Sequence, residues 1–345
     1  MASPLAAIFG LAGLALTDAE RTFFARVRPV GYILFARNID NPQQVSDLVR
    51  DVRALTPDQN ALVLIDQEGG RVQRLKPPHW RFAPSGGEFG ELHDKNPDSA
   101  VAMTRLNMQL IGEELRALGI DVDCAPVMDV PVPGAHDIIG NRAYGKDPGI
   151  IATLATAAAQ GLADAGVVPV IKHIPGHGRA TSDSHEELPV VSDDLSTLRA
   201  TDFVPFKTYC ADPAAPPAFG MTAHVVYRAL DPDRPATTSK TVIQDVIRTE
   251  IGFQGLLMSD DVGMKALTGP YEARAEASLA AGCDVVLHCD GNMADMEAVA
   301  RGCRELDAAG LARLKAVDNL RGKPRQAIGD VAAAEFRILN ALRFG

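Results

Sequence analysis

The sequence predicts an α/β fold: a (β/α)8 barrel of the TIM type with extended βα loops and a helical C-terminal tail. Three observations predict it. Eight short apolar runs recur, each ending in polar or glycine-rich residues, and continuous apolar runs suit strands buried on both faces of a parallel sheet. Helical patterns fill the gaps, and strands alternating with helices are the signature of a parallel barrel or open sheet. No GxGxxG follows the first run, so the alternative, an open doubly wound sheet that binds a dinucleotide, loses its main support.

The first run is LAAIFG (5–10). The apolar stretch containing it is too short for a membrane span of about 20 residues. It also lacks the preceding Lys or Arg of a secretory signal. It reads as a buried strand leading to a helix start, with Thr17 as N-cap and Glu20 three residues on. VGYILFARN (30–38) follows, then NPQQVSDLVRDVRAL (41–55), where Val45, Leu48, Val52 and Leu55 recur at helical spacing. The third run is ALVLIDQEGG (61–70). A Gly- and Pro-rich insertion over 71–97 precedes the helix MTRLNMQLIGEELRALG (103–119), which ends in a glycine stop. IDVDCAPVMDV (120–130), VVPVIKHIPG (167–176) and AFGMTAHVVY (218–227) are the next three strands. SKTVIQDVIRTEIG (239–252) is a helix, and GLLMSDDVG (255–263) and CDVVLHCDG (283–291) complete the eight.

A minimal barrel takes about 250 residues. The surplus lies in 71–97, in the loop 174–190 and in a helical tail from about 292 to 343. No repeat, low-complexity tract or linker divides the chain, so residues 1–345 are read as one catalytic domain.

The chain has 345 residues, 46% of them hydrophobic, with net charge −10 and pI about 5.3. An acidic surface argues against nucleic acid or anionic membrane as main partner, while a small ligand remains compatible. The five cysteines are scattered and form no CxxC. They read as reduced thiols of a cytoplasmic protein, with Cys289 a poor nucleophile. A monomer is expected.

In a barrel, groups at strand C-termini converge on one mouth. Asp66, Asp129, Lys172, His173, His224 and the pair Asp260 and Asp261 fall at or just past such ends. One strand end of this kind is unremarkable, but their coincidence on one rim points to a site, because charges are rarely buried unpaired. Asp260, directly after GLLMS, suits a nucleophilic carboxylate. Asp261 would face the other way, since strand side chains alternate, but periodicity leaves open which of the two faces inward.

KHIPGHGRATSDSH (172–185) follows the fifth strand. Pro175, Gly176 and Gly178 break regular structure. Asp183 and His185 then stand two apart, and a carboxylate beside an imidazole favours imidazolium and fixes its proton. Spacing alone makes that pair a weak signal. A zinc site would want compact ligand spacing such as HExxH, and HIPGHG lacks the GK[ST] ending of a phosphate loop, so metal and phosphate sites are disfavoured. His177 and His224 stay open between site and structural roles.

These stretches, with IDQEGGRVQR (65–74), CAPVMDV (124–130), GNRAYGKDP (140–148), KHIPGHGRATSDSHEELP (172–189), MTAHVVY (221–227) and GFQGLLMSDDVGMKAL (252–267), resemble the bacterial β-N-acetylhexosaminidases of glycoside hydrolase family 3. The resemblance spans nearly the whole chain in the family's order. It implies a barrel that removes terminal β-linked N-acetylglucosamine (GlcNAc) with retention and without cofactor or metal. It places the nucleophile on Asp260, and the acid–base residue on His185 with its partner carboxylate on Asp183, a dyad on a mobile loop. Sugar-binding positions fall on Asp66, Arg74, Arg142, Lys172 and His173. The sequence departs from the commoner KHFPGHGDT at Ile174 and at Arg179-Ala180, none of them a catalytic position. The implied substrate is a peptidoglycan turnover fragment, GlcNAc-1,6-anhydro-MurNAc with or without peptide. Phosphorolysis, a metal-dependent hydrolase and a catalytically silent sugar-binding barrel are the competing readings.

Overall fold

The computed structural model of the chain describes residues 3–56, 60–325 and 327–345. Eight parallel strands close into a barrel: β1 Leu5–Gly10, β2 Pro29–Leu34, β3 Leu62–Ile65, β4 Val122–Asp123, β5 Val168–Ile174, β6 Phe219–Thr222, β7 Leu257–Asp261 and β8 Val285–His288. Each pairs with its neighbours in chain order, and β1 closes on β8 with Ile8 opposite Leu287. One helix on the outer ring follows each strand: α1 Asp18–Val27, α2 Pro42–Arg53, α3 Pro97–Ala117, α4 Pro148–Asp164, α5 Val204–Ala211, α6 Val242–Glu250, α7 Tyr271–Ala281 and α8 Met293–Gly302. Among the described residues no helix is long and apolar enough to cross a membrane.

The local reasons are those of the sequence. Every residue of β2, β3, β5 and β8 is buried, as an apolar strand between barrel interior and helix ring must be. Thr17 caps α1: its hydroxyl accepts the Glu20 N–H while Glu20 Oε2 accepts the Thr17 N–H at 2.8 Å, a reciprocal capping box. Asn41 caps α2 through the Gln44 N–H at 3.1 Å. Phe9, Phe23, Phe24 and Tyr32 interlock between strand and helix, with ring centroids 5.0–5.5 Å apart for the three edge-on pairs.

Three predicted elements differ in detail. The run at 120–130 is a regular strand only at Val122–Asp123, because Pro126 has no N–H to give the ladder. The chain still follows β5 beyond that point, with Val170 N donating to Ala125 O and Met128 N to Lys172 O at 2.7 Å. The run at 61–70 leaves the barrel after Ile65 and forms a small ribbon, Gln67–Gly69 against Val72–Gln73. It turns at Gly69 and Gly70, both with positive φ, and a side chain at Gly69 would lie 2.2 Å from the Pro84 carbonyl. The helix predicted at 239–252 is π-helical over Val242–Glu250.

The N-terminal end of the barrel is closed by ion pairs. Asp121 takes Arg53 at 2.9 Å and Arg321, which reaches in from the tail. Asp284 takes Arg248 at 2.8 Å and Arg313 at 2.6 Å. Helices Ala308–Lys315 and Val331–Phe344 make up the rest of the tail.

Candidate active site

The opposite, C-terminal end of the barrel carries the chemistry. Lys172, only 2% exposed, sits near the end of β5 between two carboxylates, with Nζ 2.9 Å from Asp66 Oδ1 and 2.6 Å from Glu68 Oε1. Arg74 donates to Asp66 Oδ2 at 3.1 Å, and Arg142 grips Glu68 with two parallel bonds of 2.9 and 2.8 Å. Burial works against both carboxylates, but Lys172 and Arg74 outweigh it at Asp66 and hold that acid far below its usual range. Arg142 and Lys172 hold Glu68 down to about 2. The two carboxylates in turn raise Lys172 against its own burial. Four of the five expected sugar-binding residues therefore form one fixed fan of charges.

The fifth, His173, is bound from below. Its Nδ1 lies 2.6 Å from Asp129 Oδ2, and its N–H donates to Asp129 Oδ1 at 3.2 Å. Asp129 is fully buried, yet His173 and His177 keep it ionised down to about 2.

The two adjacent aspartates of β7 separate cleanly. Asp261 is consumed by structure: Oδ1 accepts the Gly263 N–H at 2.8 Å and the Cys289 N–H at 3.1 Å, with His288 Nδ1 at 3.7 Å. Asp260 accepts only the Asp261 N–H, at 2.8 Å, and forms no ion pair among the described residues. It lies near the C-terminal end of β7, on the same barrel end as the C-termini of β5, β6 and β8. Burial pushes both Cys289 and Cys124 far up, reinforced by Asp261, Asp66 and Asp260 at Cys289 and by Asp66, Asp123 and Glu68 at Cys124, which leaves both as unreactive thiols.

His224 is structural. Its Nε2 meets the Asp261 carbonyl at 2.9 Å and must be the donor; its Nδ1 then accepts from the Thr237 hydroxyl at 2.7 Å. Burial lowers its pKa and keeps it neutral.

The stretch after β5 turns at Gly178, where a side chain would collide with Val130 O at 2.1 Å. Arg179, one of the departures from the family pattern, anchors the turn through Asp202 at 2.6 Å, Thr201 at 2.7 Å and Asp193 at 3.1 Å. The loop then presents Asp183 and His185 at the rim. Asp183 Oδ1 accepts the His185 N–H at 2.8 Å and lies 2.7 Å from its Nδ1. These contacts outweigh partial burial and lower the Asp183 pKa. The His185 ring is 64% exposed and bonds to nothing else, so its Nε2 is free to exchange a proton with a ligand. Geometry thus supplies what spacing could not: Asp-x-His is one bonded pair. His185 does not touch Asp260 in this arrangement. No group of three His, Cys, Asp or Glu among the described residues could hold a metal ion.

Residue-level reading of the sequence passed over Glu68 and Asp123. Glu68 stands two residues after Asp66, the spacing that puts side chains on one face of an extended segment, and that signal was available. Asp123 ends β4 fully buried, with Oδ1 accepting the Gln67 N–H at 3.0 Å and Oδ2 unpaired. Burial raises its pKa well above the usual carboxylate value. Nothing in its neighbours along the chain marks that.

Fixed hydrogen-bond donors, an unpaired carboxylate and a carboxylate–imidazole pair on one barrel rim suit one class, the sugar-cleaving barrel enzymes. Residues 13–316 match the glycosyl hydrolase family 3 N terminal domain; the chain belongs to that family and is a glycoside hydrolase. It is 39% identical over 306 residues to a β-hexosaminidase of Stenotrophomonas maltophilia, covering 88% of this chain and 89% of that one. A solved NagZ of Neisseria gonorrhoeae in complex with N-trifluoroacetyl-D-glucosamine superposes with a TM-score of 0.87 at 30% identity, over 99% of this chain and 98% of that one. A family 3 β-N-acetylglucosaminidase of Paenibacillus superposes with a TM-score of 0.85 at 29% identity, over 97% of this chain and 66% of that longer one.

Proposed function

We propose that the protein is a retaining exo-β-N-acetylglucosaminidase. The carrying observation is the division of labour at the mouth: Asp261 is bound up in backbone hydrogen bonds, Asp260 is left without a cation, and Asp183–His185 is a preassembled pair on the rim. The acetylated sugars in the names of the relatives support GlcNAc as the glycone.

In the first step an Asp260 oxygen attacks the anomeric carbon as the bond to the leaving oxygen breaks. His185, bonded through Nδ1 to Asp183, gives an Nε2 proton to that oxygen. In the second step neutral His185 takes a proton from water, whose oxygen attacks the same carbon and releases Asp260. Two displacements retain configuration and leave every group as it began. Asp66, Arg74, Arg142, Lys172 and His173 orient the sugar, and their prepaired charges limit reorganisation when it binds. The natural substrate in this reading is GlcNAc-1,6-anhydro-MurNAc, with or without peptide, in the cytoplasm. The chain acts as one catalytic domain without metal or cofactor.

The test is turnover of an aryl β-GlcNAc followed by NMR, with and without phosphate. The expected first product is β-GlcNAc, at a rate indifferent to phosphate. First-formed α-GlcNAc would contradict the double displacement, and a sugar phosphate would identify a phosphorylase.

A further inference from the structure

Between the two dyad residues lies Ser184, only 3% exposed although His185 beside it stands in solvent. Both of its polar groups face the protein. The hydroxyl is 3.2 Å from Nε2 of His177, itself buried, and the carbonyl accepts the Ala266 N–H at 3.2 Å. Ala266 belongs to the segment leaving β7, five residues past Asp261. His177 is fixed in turn. Its N–H donates to Asp129 Oδ1 at 2.6 Å, and its ring lies edge-on to His173 at 5.7 Å.

We infer that Ser184 and His177 are positioning residues, a two-point latch that holds the acid–base pair over the barrel mouth. The inference rests on the proposed roles of Asp183 and His185. The geometry argues for it in three ways. The base of the loop is immobilised independently, by Gly178 against Val130 and by the three Arg179 bonds, so the segment free to move is the one Ser184 pins. Glu186 and Glu187 donate their N–H groups to Asp183 O, so the turn carrying the dyad moves as a unit, with Ser184 its buried foot. The same foot touches the segments following β5 and β7, and thus ties the proton donor to the nucleophile's strand. Among the described residues His177 Nδ1 is buried without a partner. An unsatisfied buried nitrogen is disfavoured, and it is kept in a ring whose other nitrogen holds the latch.

The test compares Ser184→Ala, His177→Leu, the double variant, Ser184→Thr and His185→Ala, each checked for an unchanged melting transition. Two readouts are taken: hydrogen exchange of the peptide spanning 181–188, and kcat for aryl β-GlcNAc substrates with leaving groups of low and high pKa. Ser184→Ala and His177→Leu should each speed exchange in that peptide. Each should lower kcat for the poor leaving group about tenfold, the scale of one neutral hydrogen bond, with little change for the good one and in KM. The double variant should be no worse than either single, since both remove one contact. Ser184→Thr, which keeps the hydroxyl, should restore both readouts. Unchanged exchange in Ser184→Ala overturns the latch. Faster exchange with unaltered kinetics overturns its positioning role. If His185→Ala itself shows no leaving-group dependence, the acid assignment falls, and the exchange data still judge the latch.

Discussion

Lys172 shows how one residue's environment decides what a substitution does. Its ammonium group is buried between Asp66 and Glu68, and removing one partner of a buried ion pair leaves uncompensated charge behind. Lys172→Met should therefore lower stability by about 3–5 kcal/mol and abolish activity, as measured by urea unfolding and aryl β-GlcNAc turnover. His224→Ala should lower stability with a smaller effect on kcat, because its ring nitrogens tie the Thr237 turn to the Asp261 carbonyl of β7. Asp260→Ala should reduce kcat about 10⁴-fold with an unchanged melting temperature, while a near-normal rate would remove it from catalysis. At this scale much of the site was legible: apolar strands ending in Asp66, Lys172, His173 and Asp260 announce a rim. The choice between Asp260 and Asp261 was not, because it depends on the backbone amides of Gly263 and Cys289. Cys289 is 28 residues away in sequence.

Strands, helices and loops divide the work. The strands were readable from apolar runs, since burial on both faces leaves a local imprint. The shortening of β4 follows from Pro126, and the excursion of 67–73 from paired glycines with positive φ. The loop after β5 was legible as a break but not as a device, because Arg179 and Ser184 act through partners distant in sequence. His185→Ala should cost about 10²–10⁴ in kcat on substrates with poor leaving groups and much less on activated aryl glycosides; equal losses on both would argue against His185 as the acid. Arg179→Ala should loosen the loop base and leave Asp202 buried without its cation, seen as a lower melting temperature. At the barrel floor Arg321 ties the tail to Asp121 and to the Ala61 carbonyl at 2.9 Å. Truncating Arg321 should lower stability while leaving KM unchanged, because its partners Asp121 and Ala61 lie at the end of the barrel opposite the mouth.

Over the whole molecule, buried carboxylates link stability to pH. Burial, opposed by Arg81 and reinforced by Glu335, pushes Glu114 on α3 up to about 7. A folded-state pKa above the unfolded one means the native protein binds the extra proton, so stability should rise as pH falls from about 7 toward about 4.5. Glu114 is partly exposed, so the gain should be about 1–2 kcal/mol, and Glu114→Gln should flatten it in denaturant titrations at pH 5 and 7. Asp66, Glu68 and Asp129 have the reverse sign. Their depressed pKa values contribute stability above about 4; for Glu68 and Asp129 it is lost as pH falls through about 2, and for Asp66, held lower still by Lys172 and Arg74, only in stronger acid. The central claim, however, is chemical: Asp260 bonds to the sugar. The most direct measurement is mass mapping of the enzyme after reaction with a 2-fluoro β-glycosyl trapping reagent. One added sugar is expected, carried by Asp260 in the peptide GLLMSDDVGMK. A sugar on Asp261, on any other residue, or on none while turnover proceeds would contradict it.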